Sequence, residues 1–145
     1  MSGLRNAVLL TGAGGYLGSR LAANLLESAI HPVILWLHAT NRAELEQKAK
    51  VLREYLGPVA DAAQMRGGDL CAPEPFADID PGEVGSIVHC AAVTRFNVEE
   101  ALARSVNVDV TVKLCEFASK CKKLERLALV SSIYACGLRE GVIAE

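Results

Sequence analysis

Ala7-Val8-Leu9-Leu10-Thr11-Gly12-Ala13-Gly14-Gly15-Tyr16-Leu17-Gly18 is the stretch that decides the fold. Its first five residues form an aliphatic run without polar alternation, the pattern of a strand buried on both faces. After the glycines, Leu17, Leu21, Leu25 and Ala29 recur every fourth residue, and Ala22 and Leu26 widen them into a helical stripe. A strand therefore enters a glycine loop and a helix leaves it. In that setting Gly12 permits a tight turn, Gly15 removes a Cβ that would block a phosphate, and Gly18 lets the helix sit close to the sheet. The first turn of such a helix presents free N–H groups and a favourable dipole to an anion. A nucleoside-triphosphate loop is excluded, because it needs Gly-Lys-Ser/Thr and the first lysine is Lys48.

Outward from this loop the pattern repeats. Val33–Leu37 reads as a second buried strand, followed by a helix from an Asn41 N-cap to Leu56 that Gly57-Pro58 stops. Ala63–Arg66 is a weaker third strand, ahead of Gly67-Gly68-Asp69-Leu70. Residues 71–83, with Pro73, Pro75 and Pro81, read as a loop with at most one short helix. Ser86–Cys90 is a fourth strand, Asn97–Ala118 a helix with Val106, Val110, Leu114 and Phe117 on one face, and Leu124–Ser131 a fifth strand. Uniformly apolar strands alternating with helices predict an α/β fold: a doubly wound parallel sheet of the Rossmann type, five strands in the order 3-2-1-4-5. Right-handed crossovers then bring a nucleotide to the carboxyl ends of the strands, at the switch point between the first and fourth.

Bulk properties narrow the class. The chain has 145 residues, 51% of them apolar, and a net charge of −2 with acids and bases interspersed. One core is expected, and neither nucleic acid nor a membrane surface is an expected partner. No apolar run is long enough to span a bilayer and the N-terminus has no signal-peptide pattern. The five cysteines, Cys71, Cys90, Cys115, Cys121 and Cys136, form no CxxC pair, which favours a reduced, cytoplasmic protein. Neither Cys90 nor Cys136 is a credible nucleophile: the one neighbouring base, His89, adjoins Cys90 on a strand and points to the opposite face. His31, His38 and His89 have no metal-ligand spacing, so no metal site is expected.

Thr11-Gly12-x-x-Gly15-x-x-Gly18 resembles the extended short-chain dehydrogenase/reductase superfamily. Gly68-Asp69-Leu70, Ile87-Val88-His89-Cys90-Ala91-Ala92, Asn107 and Val130-Ser131-Ser132 follow in the order and spacing of that superfamily. Within it, His89-Cys90-Ala91-Ala92-Val93-Thr94-Arg95-Phe96 and Ser132-Ile133-Tyr134-Ala135-Cys136-Gly137 are most similar to the thioester-reductase and fatty acyl-CoA reductase branch. The resemblance implies a nicotinamide cofactor held by Thr11, Gly12, Gly14, Gly15, Tyr16, Leu17 and Gly18. It adds Asp69 at the adenine edge with Leu70 packing on it, and Val93 and Asn107 beside the cofactor. Ala91 and Ala92 are small enough for the cofactor to lie against their backbone. An acid at the end of the second strand would bind the ribose diol of NAD, but none occurs before Glu44. His38 stands where the branch carries an arginine, and Arg42 is close enough to supply a cation, so NADP (NADPH) is favoured over NAD.

The resemblance makes Ser132 the catalytic hydrogen-bond donor to a substrate carbonyl, with Ser131 as its alternative. It also implies a Tyr-x-x-x-Lys pair to protonate the oxyanion, and that pair is absent: Tyr16 is followed four residues later by Arg20, Tyr55 by Val59 and Tyr134 by Leu138. In the family the pair lies beyond the fifth strand. Residues 1–145 are therefore expected to be the nucleotide-binding front of a longer, multidomain reductase, inactive alone, with Tyr134 the remaining candidate acid. The implied reaction is hydride transfer to an acyl thioester on a carrier protein or coenzyme A, releasing an aldehyde or alcohol. Two readings stand beside it: a sugar-nucleotide epimerase or dehydratase of the same superfamily, and a non-catalytic NAD(P)-binding module.

Overall fold

The apolar runs pair as the periodicity predicts. The computed structural model describes residues 6–132, 135 and 137–142. Its strands are β1 (Ala7–Thr11), β2 (Val33–His38), β3 (Ala63–Gly68), β4 (Val84–His89) and β5 (Arg126–Leu129). They form one sheet in the order β3-β2-β1-β4-β5 with every pairing parallel. Thr11 is in register with Trp36 on one side and His89 on the other, so β1 and β4 finish level while β2 runs two residues further, to His38. The chain reverses direction across the sheet between β1 and β4, which opens the crevice at that edge.

Alternate strand residues feed two cores. Leu10, Leu35 and Leu37 face α1 (Tyr16–Ser28) and α2 (Arg42–Leu56), meeting Ala22, Leu26 and Leu52. Leu9, Ile34, Trp36 and Ile87 face the other way and meet Val110, Leu114 and Phe117. The Asn41 Oδ1 caps α2 by accepting from the Glu44 N–H at 2.9 Å, and Gly57 ends it at a φ of +60°.

The connection from β3 to β4 carries no α-helix, only a 3₁₀ turn at Pro81–Glu83. Leu70, Phe76 and Ile79 fill the layer that a helix would otherwise supply. Phe76 meets Trp36 edge-on at 5.4 Å between centroids and Phe117 at 5.3 Å, so one aromatic chain links sheet, loop and helix. The helix expected over residues 97–118 begins later, as α3 (Glu100–Arg104). It passes through a π-helical turn at Ser105–Asp109 and continues as α4 (Val110–Lys120). The fifth strand is shorter than expected, because Leu124 N–H still bonds back to Cys121 O in the turn before it. Among the described residues no helix is long and apolar enough to cross a membrane.

Candidate nucleotide site

The glycine loop is shaped by two close backbone approaches. Gly12 has a φ of +72°, and a Cβ on it would lie 2.6 Å from the backbone N of Ala91 and 2.7 Å from the Cys90 carbonyl carbon. The ends of β1 and β4 therefore cross at a distance only glycine allows. A Cβ on Gly18 would fall 2.1 Å from Gly12 O, so the loop itself, more than the sheet, is what α1 approaches there. Gly12 O also accepts from Gly15 N–H at 2.9 Å, closing the turn.

Gly15 is the N-cap of α1 and has no side chain with which to satisfy the first-turn N–H groups. No acid occupies that turn. Tyr16 and Leu17 are exposed at the tip, and the Arg20 guanidinium stacks on the Tyr16 ring at 3.7 Å from its centroid. A bare helix start with a cation one turn inside suits a pyrophosphate. The glycines make room for backbone to cross backbone, and the uncapped helix start is what fits the phosphates of a dinucleotide.

Thr11 has a different place from the one expected. It is fully buried, and its hydroxyl is hydrogen-bonded to His89 Nδ1 at 2.6 Å. Burial keeps His89 neutral by lowering its pKa below the usual 6.5. Its ionisation in the unfolded chain alone makes stability full above about 6.5 and falling as the pH drops below that value. The expected result is a Tm that declines from about pH 7 towards pH 5, with a shallower decline in His89→Gln. An equal slope in the variant would assign the effect to other groups.

Leu70 is likewise buried. Its side chain belongs to the core cluster that holds Trp36, Phe76 and Leu114. Its N–H donates to His38 Nδ1 at 3.1 Å, which orients that imidazole. Asp69 is exposed at the same corner, 3.8 Å from His38 Nδ1, and its Oδ1 accepts from the Cys71 N–H at 2.8 Å. Gly67, expected just past the third strand, lies inside β3, and a Cβ there would lie 2.0 Å from Leu37 O.

Asn107 and Val93 are brought together. Val93 N–H donates to Asn107 Oδ1 at 2.8 Å, and Asn107 Nδ2 donates to Val93 O at 3.0 Å. Both ends of the amide are engaged with the loop after β4, so Asn107 holds the segment that carries half-buried Ala91 and exposed Ala92. It does so from the π-helical turn, a distortion often found at functional sites.

Two grooves flank His38. One, of about 450 Å³, runs from Gly14 and Gly15 past Leu37 to Lys48, Val51 and Tyr55 on α2. The other, of about 290 Å³, is lined by Thr40, Asn41, Arg42, Gly67, Gly68 and Asp69. Arg42 is almost wholly exposed and paired with Glu46 at 2.9 Å. Lys48 is the functional candidate that sequence reasoning missed. Its Nζ donates to His38 O at 2.8 Å, ten residues away in the chain. The signal was present only as a lysine on the same helix face as Glu44.

Ser132 is exposed just past β5, at the same edge as the glycine loop. Val130 N–H donates to His89 O at 3.0 Å, which ties this segment to the end of β4. Tyr134 and Cys136 lie outside the described residues. The Cys90 thiol is half-buried and pushed up by burial, which leaves it a poor nucleophile. Among the described residues no group of three or more His, Cys, Asp or Glu side chains is placed to hold a metal ion.

Comparison with known proteins agrees with this geometry. The NAD-binding family described as male sterility protein matches residues 10–145. An NRPS-like oxidoreductase, fscA, of Fusarium equiseti is 31% identical over 141 residues, covering 94% of this chain and 14% of its own length. Fatty acyl-CoA reductase 1 of Xenopus laevis is 29% identical, covering 88% of this chain and 28% of its own length. The chain thus spans less than a third of either relative. A thiolation-reductase di-domain from an archaeal non-ribosomal peptide synthetase superposes with a TM-score of 0.77 at 20% identity, over 91% of this chain and 37% of that one, a likeness of fold. With its glycine loop, its 3-2-1-4-5 sheet and a match over nearly its whole length, the chain belongs to the NAD-binding male sterility protein family, alongside the fatty acyl-CoA and NRPS-like reductases.

Proposed function

We propose that this chain is the NADPH-binding part of a reductase that acts on an acyl thioester carried by coenzyme A or a carrier protein, giving an aldehyde or alcohol. The observation that carries the reading is the uncapped start of α1 beside the Gly12–Ala91 crossing, in a chain whose relatives are acyl reductases. Bound NADPH supplies the hydride. Gly12, Gly14, Gly15 and the first-turn N–H groups of Tyr16, Leu17 and Gly18 hold the pyrophosphate. Ala91, Ala92 and the Asn107-held Val93 form the floor beneath it. Asp69 meets the adenine edge, while His38, Lys48 and Arg42 provide the polar surroundings of the ribose 2′-phosphate. Ser132 donates a hydrogen bond to the thioester carbonyl oxygen, drawing charge from the carbon that is reduced.

The protonating Tyr-x-x-x-Lys pair is not among these 145 residues, so the chain alone is expected to bind nucleotide without turning over. The test is a titration of NADPH and NADH followed by thermal shift, since a ligand selective for the native state raises its stability. It is paired with an assay of acyl-CoA-dependent NADPH oxidation. Stabilisation that is larger with NADPH, without oxidation, supports the reading. No response to either nucleotide, or turnover by the chain alone, overturns it.

A further inference from the structure

Each groove beside His38 contains one cation from α2, and each cation is already met by a glutamate of the same helix. The two pairs differ. Arg42 and Glu46 are 91% and 66% exposed, and such a pair is screened by water and contributes little. Lys48 and Glu44 are 44% and 33% exposed and stand 2.6 Å apart. Glu44 has a second attachment, because its Oε2 accepts from Thr40 N–H at 2.7 Å and from the Thr40 hydroxyl at 2.8 Å. Lys48 has a second partner in His38 O. Two of the three ammonium donors are thereby occupied, one of them by a fixed carboxylate.

We propose that Glu44 is a built-in competitor for the 2′-phosphate: it holds Lys48 in the free protein, and a 2′-phosphorylated nucleotide gains that cation only by drawing it off the carboxylate. Glu44 therefore sets how strongly the site prefers NADPH over NADH. The inference rests on the reading of Lys48 as a cation for the phosphate. The Thr40 bonds keep the carboxylate in place when Lys48 leaves it. Lys48 and Thr40 together hold its pKa at about 2, so it is still charged at neutral pH and repels the incoming phosphate.

The probes are 2′,5′-ADP and 5′-AMP, which carry the adenosine end alone, titrated by calorimetry into the 145-residue chain. Glu44→Gln keeps a side-chain acceptor for Thr40 N–H and removes the charge. It is expected to tighten 2′,5′-ADP binding by about three- to tenfold and to leave 5′-AMP unchanged. Unchanged or weakened 2′,5′-ADP binding in folded Glu44→Gln overturns the proposal. So does a loss of 5′-AMP binding, which would make Glu44 an acceptor for the ribose diol. Glu44→Ser tests the same removal of charge should Glu44→Gln lose its fold. Lys48→Gln separates the two levels: weaker 2′,5′-ADP with 5′-AMP spared upholds the reading of Lys48, whatever Glu44→Gln does. Unchanged 2′,5′-ADP binding in Lys48→Gln, or none to any variant, removes that reading and the competitor with it.

Discussion

Gly12→Ala is expected to destabilise the fold by roughly 2–5 kcal/mol and to abolish nucleotide binding, from the left-handed backbone together with overpacking. The new methyl would be driven to within 2.6 Å of the Ala91 N and 2.8 Å of its Cα, and both neighbours are backbone. A flexible side chain can turn aside, but here either β1 or β4 must move. Those are the strands whose separation defines the crevice. Urea unfolding followed by the fluorescence of Trp36, the chain's one tryptophan, measures the loss. Gly14→Ala is the matched control. Its Cβ would meet only the Leu37 Cδ2 at 3.3 Å, a methyl that can yield, so a change below about 1 kcal/mol is expected. Equal stability of Gly12→Ala and Gly14→Ala would mean that β1 and β4 do not approach as closely as the structure shows.

Trp36→Ala is expected to cost about 3–5 kcal/mol, by the cavity it leaves in the core. Trp36 is fully buried, and its ring is the first of the aromatic series that runs through Phe76 to Phe117. That series replaces a helix layer between β3 and β4, so its loss is expected to loosen residues 69–83 and, with them, the Asp69 corner. Against a total stability of about 5–15 kcal/mol, the variant should unfold at markedly lower urea, read by far-UV circular dichroism. Trp36→Phe is the companion. It keeps a ring and removes an indole N–H that has no partner among the described residues, so a loss within about 1.5 kcal/mol is expected. A Trp36→Ala loss as small as that of Trp36→Phe would show that the layer is held by other contacts.

Periodicity and glycine placement were sufficient for the strands, their order and the glycine loop that joins β1 to α1. Each of these follows from local rules: an apolar run is buried on both faces, and glycines between a strand and a helix allow the tight turn that joins them. Boundaries were read less well, as in the late start of α3 and in β5, which the turn bond from Leu124 N–H to Cys121 O shortens. The same limit applied to the site. Ala91 and Ala92 were picked for their small size, yet only the fold reveals that Gly12 must be glycine because Ala91 crosses it. Thr11 and Leu70 carried the residue types of a binding surface but went to the interior, where Thr11 found His89 across 78 residues and Leu70 joined Trp36 and Phe76. Lys48 sat unremarked on a helix until the end of β2 came beside it. A residue's type and spacing determine which face of its own element it occupies. Which atoms meet it there depends on the neighbouring strand or helix, and that is decided only when the chain closes on itself.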